Sequence, residues 1–200
     1  TFNYAQTDAK AIAFDPNNAN KFVVCYQDTG NSSYGTAIVG TISGTSISFG
    51  SEYVFNSAIT STMDIEFDPN TAGKFVVAYR DSGNSHYGKA LVGTVSGTVL
   101  SFGSSVTFES ANSSDIAISF DPNTSGKFVV VYKDYGNSVY GTARVGTISG
   151  TSLSFGSVAT FNSATTSFIS ISFDPNTAGK FVVCYKDTGN SHYGTAIVGT

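Results

Sequence analysis

The chain has few charged residues. Asp, Glu, Lys and Arg make up 12 % of its 200 residues, about half of the roughly 25 % that is usual in soluble domains. The formal net charge is −4 and no basic cluster stands out, which disfavours nucleic acid as a partner. No apolar run approaches the ~20 residues that cross a bilayer. We therefore expect neither a nucleic-acid partner nor a membrane span.

Repetition is the main feature that the chain does have. The tetrapeptide Phe-Asp-Pro-Asn recurs every 53 residues, starting at Phe14, Phe67, Phe120 and Phe173. Self-similarity at a fixed period is typical of propellers, solenoids and arrays. We predict a single repeat domain over residues 1–200, with blades at about 8–57, 58–110, 111–163, and 164–200 plus 1–7.

Each repeat predicts four short strands. In the second copy, apolar and polar residues alternate over 63–67, which is the pattern of a half-buried strand. Residues 74–79 follow an Asp-Pro-Asn turn and are apolar on both faces, so this strand must be covered on both sides. A third strand is predicted over 90–95, and a fourth over 99–108 with a bulge at Gly103.

The tight turns decide the fold class. They join neighbouring strands antiparallel, and helix-forming patterns are absent. An antiparallel four-stranded meander repeated at ~40–50 residues is typical of a propeller blade. The predicted fold is all-β: four tandem repeats, each an antiparallel four-stranded blade, in a four-bladed β-propeller. An open array, part of a larger ring and an assembly completed between chains remain as alternatives.

The two ends of the sequence predict an unpaired blade edge. Four full periods would need twelve more residues, at the positions that 148–159 occupy in the third copy. The last blade then lacks most of one strand, and an exposed edge pairs readily with another chain. Either a strand from another copy completes the ring, or the chain is part of a longer repeat protein. The first case predicts self-association through this edge.

The two cysteines share one repeat position. Cys25 and Cys184 align with Ala78 and Val131 in the other copies. A position that accepts Cys, Ala or Val is typical of a small apolar core site. We predict buried free thiols, with a disulfide or a reactive role as the alternatives. Because the sequence also has no Cys-X-X-Cys motif, phosphate loop or Ser-His-Asp set, we predict no cofactor.

A ten-residue motif follows the second strand of every copy. It reads Tyr-X-Asp-X-Gly-Asn-Ser-X-Tyr-Gly and starts at Tyr26, Tyr79, Tyr132 and Tyr185. The motif resembles the Asp-box of sialidase-like propellers, in which Asp, a Gly two positions later and a Ser or Thr four positions later fold a hairpin. In that family an aromatic residue usually follows the Ser or Thr directly, whereas the Tyr of this motif stands one position further along the chain. In that family the Asp-box lies away from the catalytic site, so the resemblance implies a propeller and not an activity.

The loop of this motif supplies the candidate binding residues. Its aromatic rings could stack on sugars while its amides bind sugar hydroxyls, and weak sites on several blades would add through multivalency. The competing interpretation is that the Tyr rings pack on the preceding strand and close the hairpin. The candidate residues are Asn31, Tyr34, Asn84, Tyr87, Asn137, Tyr140, Asn190 and Tyr193.

The Asp residues of the same loop are weak Ca²⁺ candidates. Hard cations favour carboxylate, amide and backbone oxygens, but each loop offers a single carboxylate. We expect each Asp to cap its own turn instead, and we predict no metal site. The residues concerned are Asp28, Asp81, Asp134 and Asp187.

The remaining acids do not form an evident catalytic pair. Glycoside hydrolysis needs two carboxylates on either side of the scissile bond. Eight of the fourteen acids are repeated turn residues, and the other six stand at different repeat positions: Asp8, Glu52, Asp64, Glu66, Glu109 and Asp115. The two arginines, Arg80 and Arg144, do not form the cluster that a sialidase-like enzyme would need. We therefore predict that the chain is not an enzyme.

Taken as a whole, the repeat resembles the roughly fifty-residue propeller units of secreted bacterial and phage surface proteins. The resemblance rests on the Phe-Asp-Pro-Asn, Lys-Phe-Val-Val and Val-Gly-Thr-X-Ser-Gly segments. It implies an extracellular, cell-surface or virion-surface location and a scaffold role. The first hypothesis is a non-enzymatic structural or adhesive protein that self-assembles into a fibre. The alternative is a multivalent lectin that binds surface glycans, and an Asp-box hydrolase is a distant third.

Overall fold

The fold is antiparallel β throughout. The computed structural model describes all 200 residues, in fifteen strands and two one-turn 3₁₀ helices at Thr29–Asn31 and Thr188–Asn190. The predicted all-β class is confirmed. Neither helix has the length or the apolar character that crossing a membrane requires.

The strands form four sheet units, one for each sequence repeat. Unit 1 contains β1 (Thr7–Phe14), β2 (Lys21–Asp28), β3 (Tyr34–Ser43) and the first part of β4 (Ser46–Phe67). Unit 2 contains the rest of β4, β5 (Lys74–Asp81), β6 (Tyr87–Ser96), β7 (Val99–Phe102) and the first part of β8 (Val106–Phe120). Unit 3 contains the rest of β8, β9 (Lys127–Asp134), β10 (Tyr140–Ser149), β11 (Ser152–Phe155) and β12 (Ala159–Asn162). Unit 4 contains β13 (Thr166–Phe173), β14 (Phe181–Asp187) and β15 (Tyr193–Gly199).

The units make an open arc, and a closed four-bladed propeller is not confirmed. Because β4 and β8 each run from one unit into the next, hydrogen bonds join β1 to β12 in one open twelve-stranded sheet, and β13–β15 form a separate sheet. The first strand of each unit, its inner strand, packs on the inner strand of the next unit. Units 1 and 4 do not pack together in this way.

Most of the predicted strands are present, but the fourth one differs. β5 starts at Lys74 and is buried on both faces, as its sequence predicts. The stretch predicted as one strand over 99–108 is two strands, separated at 103–105. At the break, the Gly103 N–H donates to the Val92 carbonyl at 2.9 Å. A side chain at Gly103 would overlap the Thr151 carbonyl of unit 3, so the chain passes close to the next unit at this point.

Each inner strand carries a bulge at the same repeat position. The bulged residues have positive φ angles of 41–54°: Ala9, Thr62, Asp115 and Phe168. The pairing register with the second strand shifts at each of these positions. A bulge bends a strand and increases its twist. The four bulges therefore turn the C-terminal halves of the inner strands in the same way.

The core lies between the units. In units 2 and 3 the second strand buries one face against the preceding unit and the other against the next. The outer face of β2 packs on residues of its own unit. Three clusters result, joining units 1 and 2, units 2 and 3, and units 3 and 4. Their central side chains are Val23, Phe75 and Tyr79 in the first, Val76, Phe108 and Tyr132 in the second, and Val131 and Tyr185 in the third.

The prediction of two buried thiols is correct for one of them. Cys25 is buried and Cys184 is exposed, and both are free. Their positions within the repeat are the same, but Cys184 lies on the face of β14 that no further unit covers. Burial raises the pKa of the Cys25 thiol far above its usual range, and the charge of Asp64 adds to that effect.

Candidate functional site

The inner strands of all four units line one cavity of about 540 Å³. It lies at the Asp-Pro-Asn end of these strands, because Pro16, Pro69 and Pro122 belong to its lining. The polar side chains of the lining are Asp64, Glu66, Ser119 and Ser172, and its aromatic side chains are Phe14, Phe67, Phe120 and Phe173. A volume of this size lies within the ~300–1,000 Å³ range of ligand pockets.

Asp64 and Glu66 are the charged residues of the cavity. They are two residues apart on β4, so their side chains leave the same face of the strand. Asp64 Oδ2 accepts the Ile118 N–H at 2.9 Å, and Glu66 Oε2 accepts the Phe120 N–H at 2.6 Å. Both donors belong to β8 of unit 3. These hydrogen bonds fix the two carboxyl groups where units 2 and 3 meet.

The cavity disfavours the charged form of both carboxyl groups. Burial raises the pKa of Glu66 from 4.5 to about 7; the Phe120 N–H opposes the shift and the charge of Asp64 adds to it. Burial also raises the pKa of Asp64, against the hydrogen bonds from Ile118 and Ile65. A carboxyl group that titrates near neutral pH can donate a proton as well as accept one.

Phe14 gives the cavity an exposed aromatic ring. It is 55 % exposed, whereas the corresponding Phe67 and Phe120 are each 3 % exposed. Its ring centroid lies 5.4 Å from that of Phe22, which supports it from the second strand. The lining thus contains an exposed aromatic ring and two fixed carboxyl groups, a combination that suits a polyhydroxylated ring, which has apolar C–H faces and hydroxyl groups that need partners.

The loop residues predicted to bind sugars lie at the other end of the units. The second strand of each unit runs from the Asp-Pro-Asn turn to the loop, so the loops and the cavity are at opposite ends. The structure brings none of these residues into the cavity lining, and their role in binding remains a prediction. The rings of Tyr34, Tyr87 and Tyr140 are half-buried and Tyr193 is exposed; Asn137 is half-buried, and Asn31, Asn84 and Asn190 are exposed.

The loop aspartates bind parts of their own loops. Asp28, Asp134 and Asp187 each accept the backbone N–H two residues further on, at 3.1, 2.8 and 2.9 Å. Asp81 instead forms an ion pair with Lys89, with an Nζ–Oδ2 distance of 2.8 Å. No group of three His, Cys, Asp or Glu residues is placed to share a metal ion.

Sequence reasoning missed the cavity carboxyl groups. It treated Asp64 and Glu66 as scattered acids, because the other copies have Ala or Ser at these positions. That difference was itself the available signal, since two acids on one face of one inner strand interrupt an otherwise regular repeat. A repeated scaffold acquires a unique site through such local replacements.

The fold is related to that of known proteins, although no family model matches the chain and no curated protein matches its sequence. Sqt1 from Saccharomyces cerevisiae is 18 % identical, with a TM-score of 0.58 over 92 % of this chain and 44 % of that one. An exo-β-1,3-galactanase from Phanerochaete chrysosporium is 14 % identical, with a TM-score of 0.56 and the same coverage. The NanB sialidase from Streptococcus pneumoniae is 14 % identical, with a TM-score of 0.57 over 91 % of this chain and 29 % of that one. The chain therefore spans less than half the length of these proteins.

These comparisons correct the prediction of a non-enzymatic protein. That prediction is wrong at the level of the fold, because a galactanase and a sialidase share it. At these identities the likeness concerns the fold alone, and Sqt1 shares that fold as well. The prediction rested on the absence of an evident carboxylate pair and of an arginine cluster in the sequence, and neither absence bears on the fold. None of these proteins supports the predicted fibre or adhesive role.

Proposed function

We propose that the chain is a carbohydrate-active protein that binds a glycan in the cavity between its inner strands. The observation that carries this proposal is the meeting of Asp64 and Glu66 with the exposed ring of Phe14 in one cavity of about 540 Å³. The fold shared with a galactanase and a sialidase supports it. An extracellular or surface location remains a prediction.

The charges of the cavity favour a neutral glycan. Its lining contains two carboxyl groups and no Lys, Arg or His, so an acidic sugar would meet repulsion without a cationic partner. The hydrogen bonds from β8 hold both carboxyl groups before a ligand arrives, which lowers the entropy cost of binding. Sugar hydroxyl groups would donate to the carboxyl oxygens while an apolar sugar face stacks on Phe14.

A second candidate function is hydrolysis of the bound glycan. The pKa of about 7 at Glu66 favours it, because a protonated carboxyl group can donate a proton to the leaving oxygen of a glycosidic bond. Asp64, on the same face of β4, is the second carboxyl group that this reaction needs. Glu66 would then be the acid, and Asp64 the base or the nucleophile.

Binding of neutral oligosaccharides tests the proposal. The wild-type chain should retain at least one neutral glycan on an array, and Phe14→Ser, Asp64→Asn and Glu66→Gln should each weaken its affinity tenfold or more. Asp8→Asn is the matched control, because Asp8 is an exposed acid of an inner strand outside the cavity. No retained glycan, or equal retention by all variants, would contradict the proposal.

The same glycan separates binding from hydrolysis. Release of new reducing ends by the wild-type chain, lost in Glu66→Gln while glycan binding persists in part, would support the second candidate. Binding without any release would reject hydrolysis and leave the first proposal standing. A loss of binding in Tyr87→Ala, with the fold intact, would instead favour the loop sites and contradict the cavity.

A further inference from the structure

The contact between units 1 and 2 contains a polar network around the loop carboxylate of Asp81. The Asn56 amide donates to Thr60 Oγ1 at 2.8 Å and to Asp81 Oδ1 at 3.3 Å. The Lys89 ammonium binds the other oxygen of Asp81, with an Nζ–Oδ2 distance of 2.8 Å. One amide and one cation therefore satisfy a carboxylate that is buried between the units.

The contact between units 2 and 3 lacks both of these donors. At the repeat positions of the Asn amide and the Lys ammonium it has Glu109 and Thr142. Asp134 takes the place of Asp81 and is buried as well. A second carboxyl group thus replaces the amide, a hydroxyl group replaces the cation, and neither carboxyl group forms an ion pair.

The two carboxyl groups border the same glycine. The Cβ atom of a side chain placed on Gly136 would lie 3.2 Å from Asp134 Oδ1 and 4.0 Å from Glu109 Oε1. Glu109 is held there by the Ala111 N–H, at 2.9 Å from Oε1, and by the Tyr132 hydroxyl, at 3.1 Å from Oε2. Burial raises the pKa of Glu109, and the charge of Asp134 adds to that shift. Two groups of like charge therefore share one partly buried space.

Two buried hydroxyl oxygens without a hydrogen-bond partner face this space. They belong to Ser113 and Thr142, which are both 0 % exposed. Ser113 pairs directly with Asp134 between β8 and β9, so their side chains lie on one face of unit 3. Thr142 pairs with Tyr132 on the same face. Because the Tyr132 hydroxyl donates to Glu109, this face is turned toward both carboxyl groups.

The unpaired oxygen of Ser113 is particular to this contact. Its counterparts Thr60 and Thr166 each accept a hydrogen bond from an Asn amide, at 2.8 and 3.0 Å. Arg144 also lies between units 2 and 3, but its guanidinium donates to backbone carbonyl groups and binds neither carboxyl group. A buried oxygen without a partner is costly, and these oxygens are available to a cation.

We propose that a Ca²⁺ ion binds between units 2 and 3, at the place that the Lys89 ammonium has between units 1 and 2. Its ligands are the carboxyl oxygens of Glu109 and Asp134 and the hydroxyl oxygens of Ser113 and Thr142, with water as the remainder. Ca²⁺ suits this set because it prefers oxygen ligands and tolerates irregular arrangements of them. The single carboxylate of the loop, which by itself disfavours a metal ion, gains a second one from the preceding unit. The proposal is independent of glycan binding, since the cavity lies at the opposite end of the units.

Calorimetric titration of the chelator-treated chain with CaCl₂ tests the proposal. The wild-type chain should bind a single Ca²⁺ ion, and its unfolding temperature should rise with the Ca²⁺ concentration. Glu109→Asn and Thr142→Lys each introduce the residue of the contact between units 1 and 2, so both variants should fold. Each should bind Ca²⁺ at least about tenfold more weakly, because the charge of the ligand set becomes less negative. Asp8→Asn, an exposed acid of unit 1, is the control and should bind Ca²⁺ like the wild type.

Three results would overturn the proposal. The first is a folded wild-type chain that binds no Ca²⁺. The second is unchanged Ca²⁺ affinity in folded Glu109→Asn or in folded Thr142→Lys. The third is a loss of Ca²⁺ binding in Glu66→Gln while Glu109→Asn binds normally, which would place the ion in the cavity of the inner strands.

Discussion

The ring of Phe108 lies so close over Gly88 that no side chain fits between them. Phe108 is 0 % exposed and also packs on Tyr132 of the next unit, so the ring has no room to move aside. The glycine is thus required by the approach of a neighbouring side chain and not by its backbone angles. Closely packed interiors of this kind do not tolerate added atoms.

Gly88→Ala should lower the free energy of unfolding by about 1–3 kcal/mol, because a methyl group would overlap the buried ring. Gly194→Ala changes the same repeat position where nothing is in contact, and should shift the free energy by less than about 0.5 kcal/mol. Urea unfolding of the two variants measures the difference. Equal losses of stability in the two variants would show that the Phe108 ring is not the reason for a glycine at position 88.

The buried aspartates of the Asp-Pro-Asn turns, Asp15, Asp68 and Asp121, differ in the hydrogen bonds of their Oδ2 atoms. Asp121 Oδ2 accepts the Gly179 N–H at 2.9 Å, whereas Asp68 Oδ2 is buried without a partner. Asp121→Asn should therefore lower the free energy of unfolding by about 1–3 kcal/mol, because the side-chain NH₂ of Asn would face the Gly179 N–H and two donors would meet. Asp68→Asn loses no hydrogen bond and should be neutral or stabilising. Thermal unfolding of the pair is the measurement, and the reverse order would contradict this assignment.

Glu66 should make the chain less stable as the pH rises. Its pKa is raised from 4.5 to about 7 in the folded state, so between these values the folded chain binds the proton more tightly than the unfolded chain. This contribution is fully present below about pH 4.5 and is lost as the pH rises through 7. Asp64 acts in the same direction.

Glu66→Gln removes that dependence. At pH 4 the variant should be about as stable as the wild type, and at pH 8 it should be more stable by up to about 3 kcal/mol. Chemical unfolding at both pH values measures the difference, with Asp8→Asn as the control. A difference that does not change with pH would mean that Glu66 titrates normally in the fold.

The two thiols should react at very different rates. Cys184 is exposed and Cys25 is buried with a raised pKa, and the thiolate is the reactive form. A thiol reagent should modify one group per native chain and two per unfolded chain. Cys184→Ser should abolish the reaction of the native chain. Reaction of both thiols in the native chain would contradict the burial of Cys25.

Local structure was predictable from the sequence because it depends on neighbours along the chain. The two-sided apolar pattern over 74–79 predicted β5, and the Asp-Pro-Asn turns predicted the antiparallel neighbours. The burial of a residue was less predictable, because residues at the same repeat position have the same neighbours only where another unit packs on that face. Cys184 and Cys25 illustrate this, since one lies on an end face and the other between units.

Neither the curvature of the array nor the cavity could be predicted from the 53-residue period. A 53-residue repeat specifies how each unit folds, but the angle between units depends on side-chain packing between consecutive units. The open arc therefore differs from the predicted ring. The cavity depends on this angle too, since it brings Phe14 of unit 1 and Glu66 of unit 2 into one lining. Their sequence separation gives no sign of that proximity.

The most direct test of glycan binding in the cavity is to follow the backbone amides by NMR during titration with a retained neutral oligosaccharide. The Ile118 and Phe120 amides donate to Asp64 and Glu66, so their resonances should shift in a saturable way. The amides of Asn84 and Tyr87, at the opposite end of the units, should stay unchanged. Shifts confined to Asn84, Tyr87 and the equivalent loop residues would place the glycan in the loops and contradict the account.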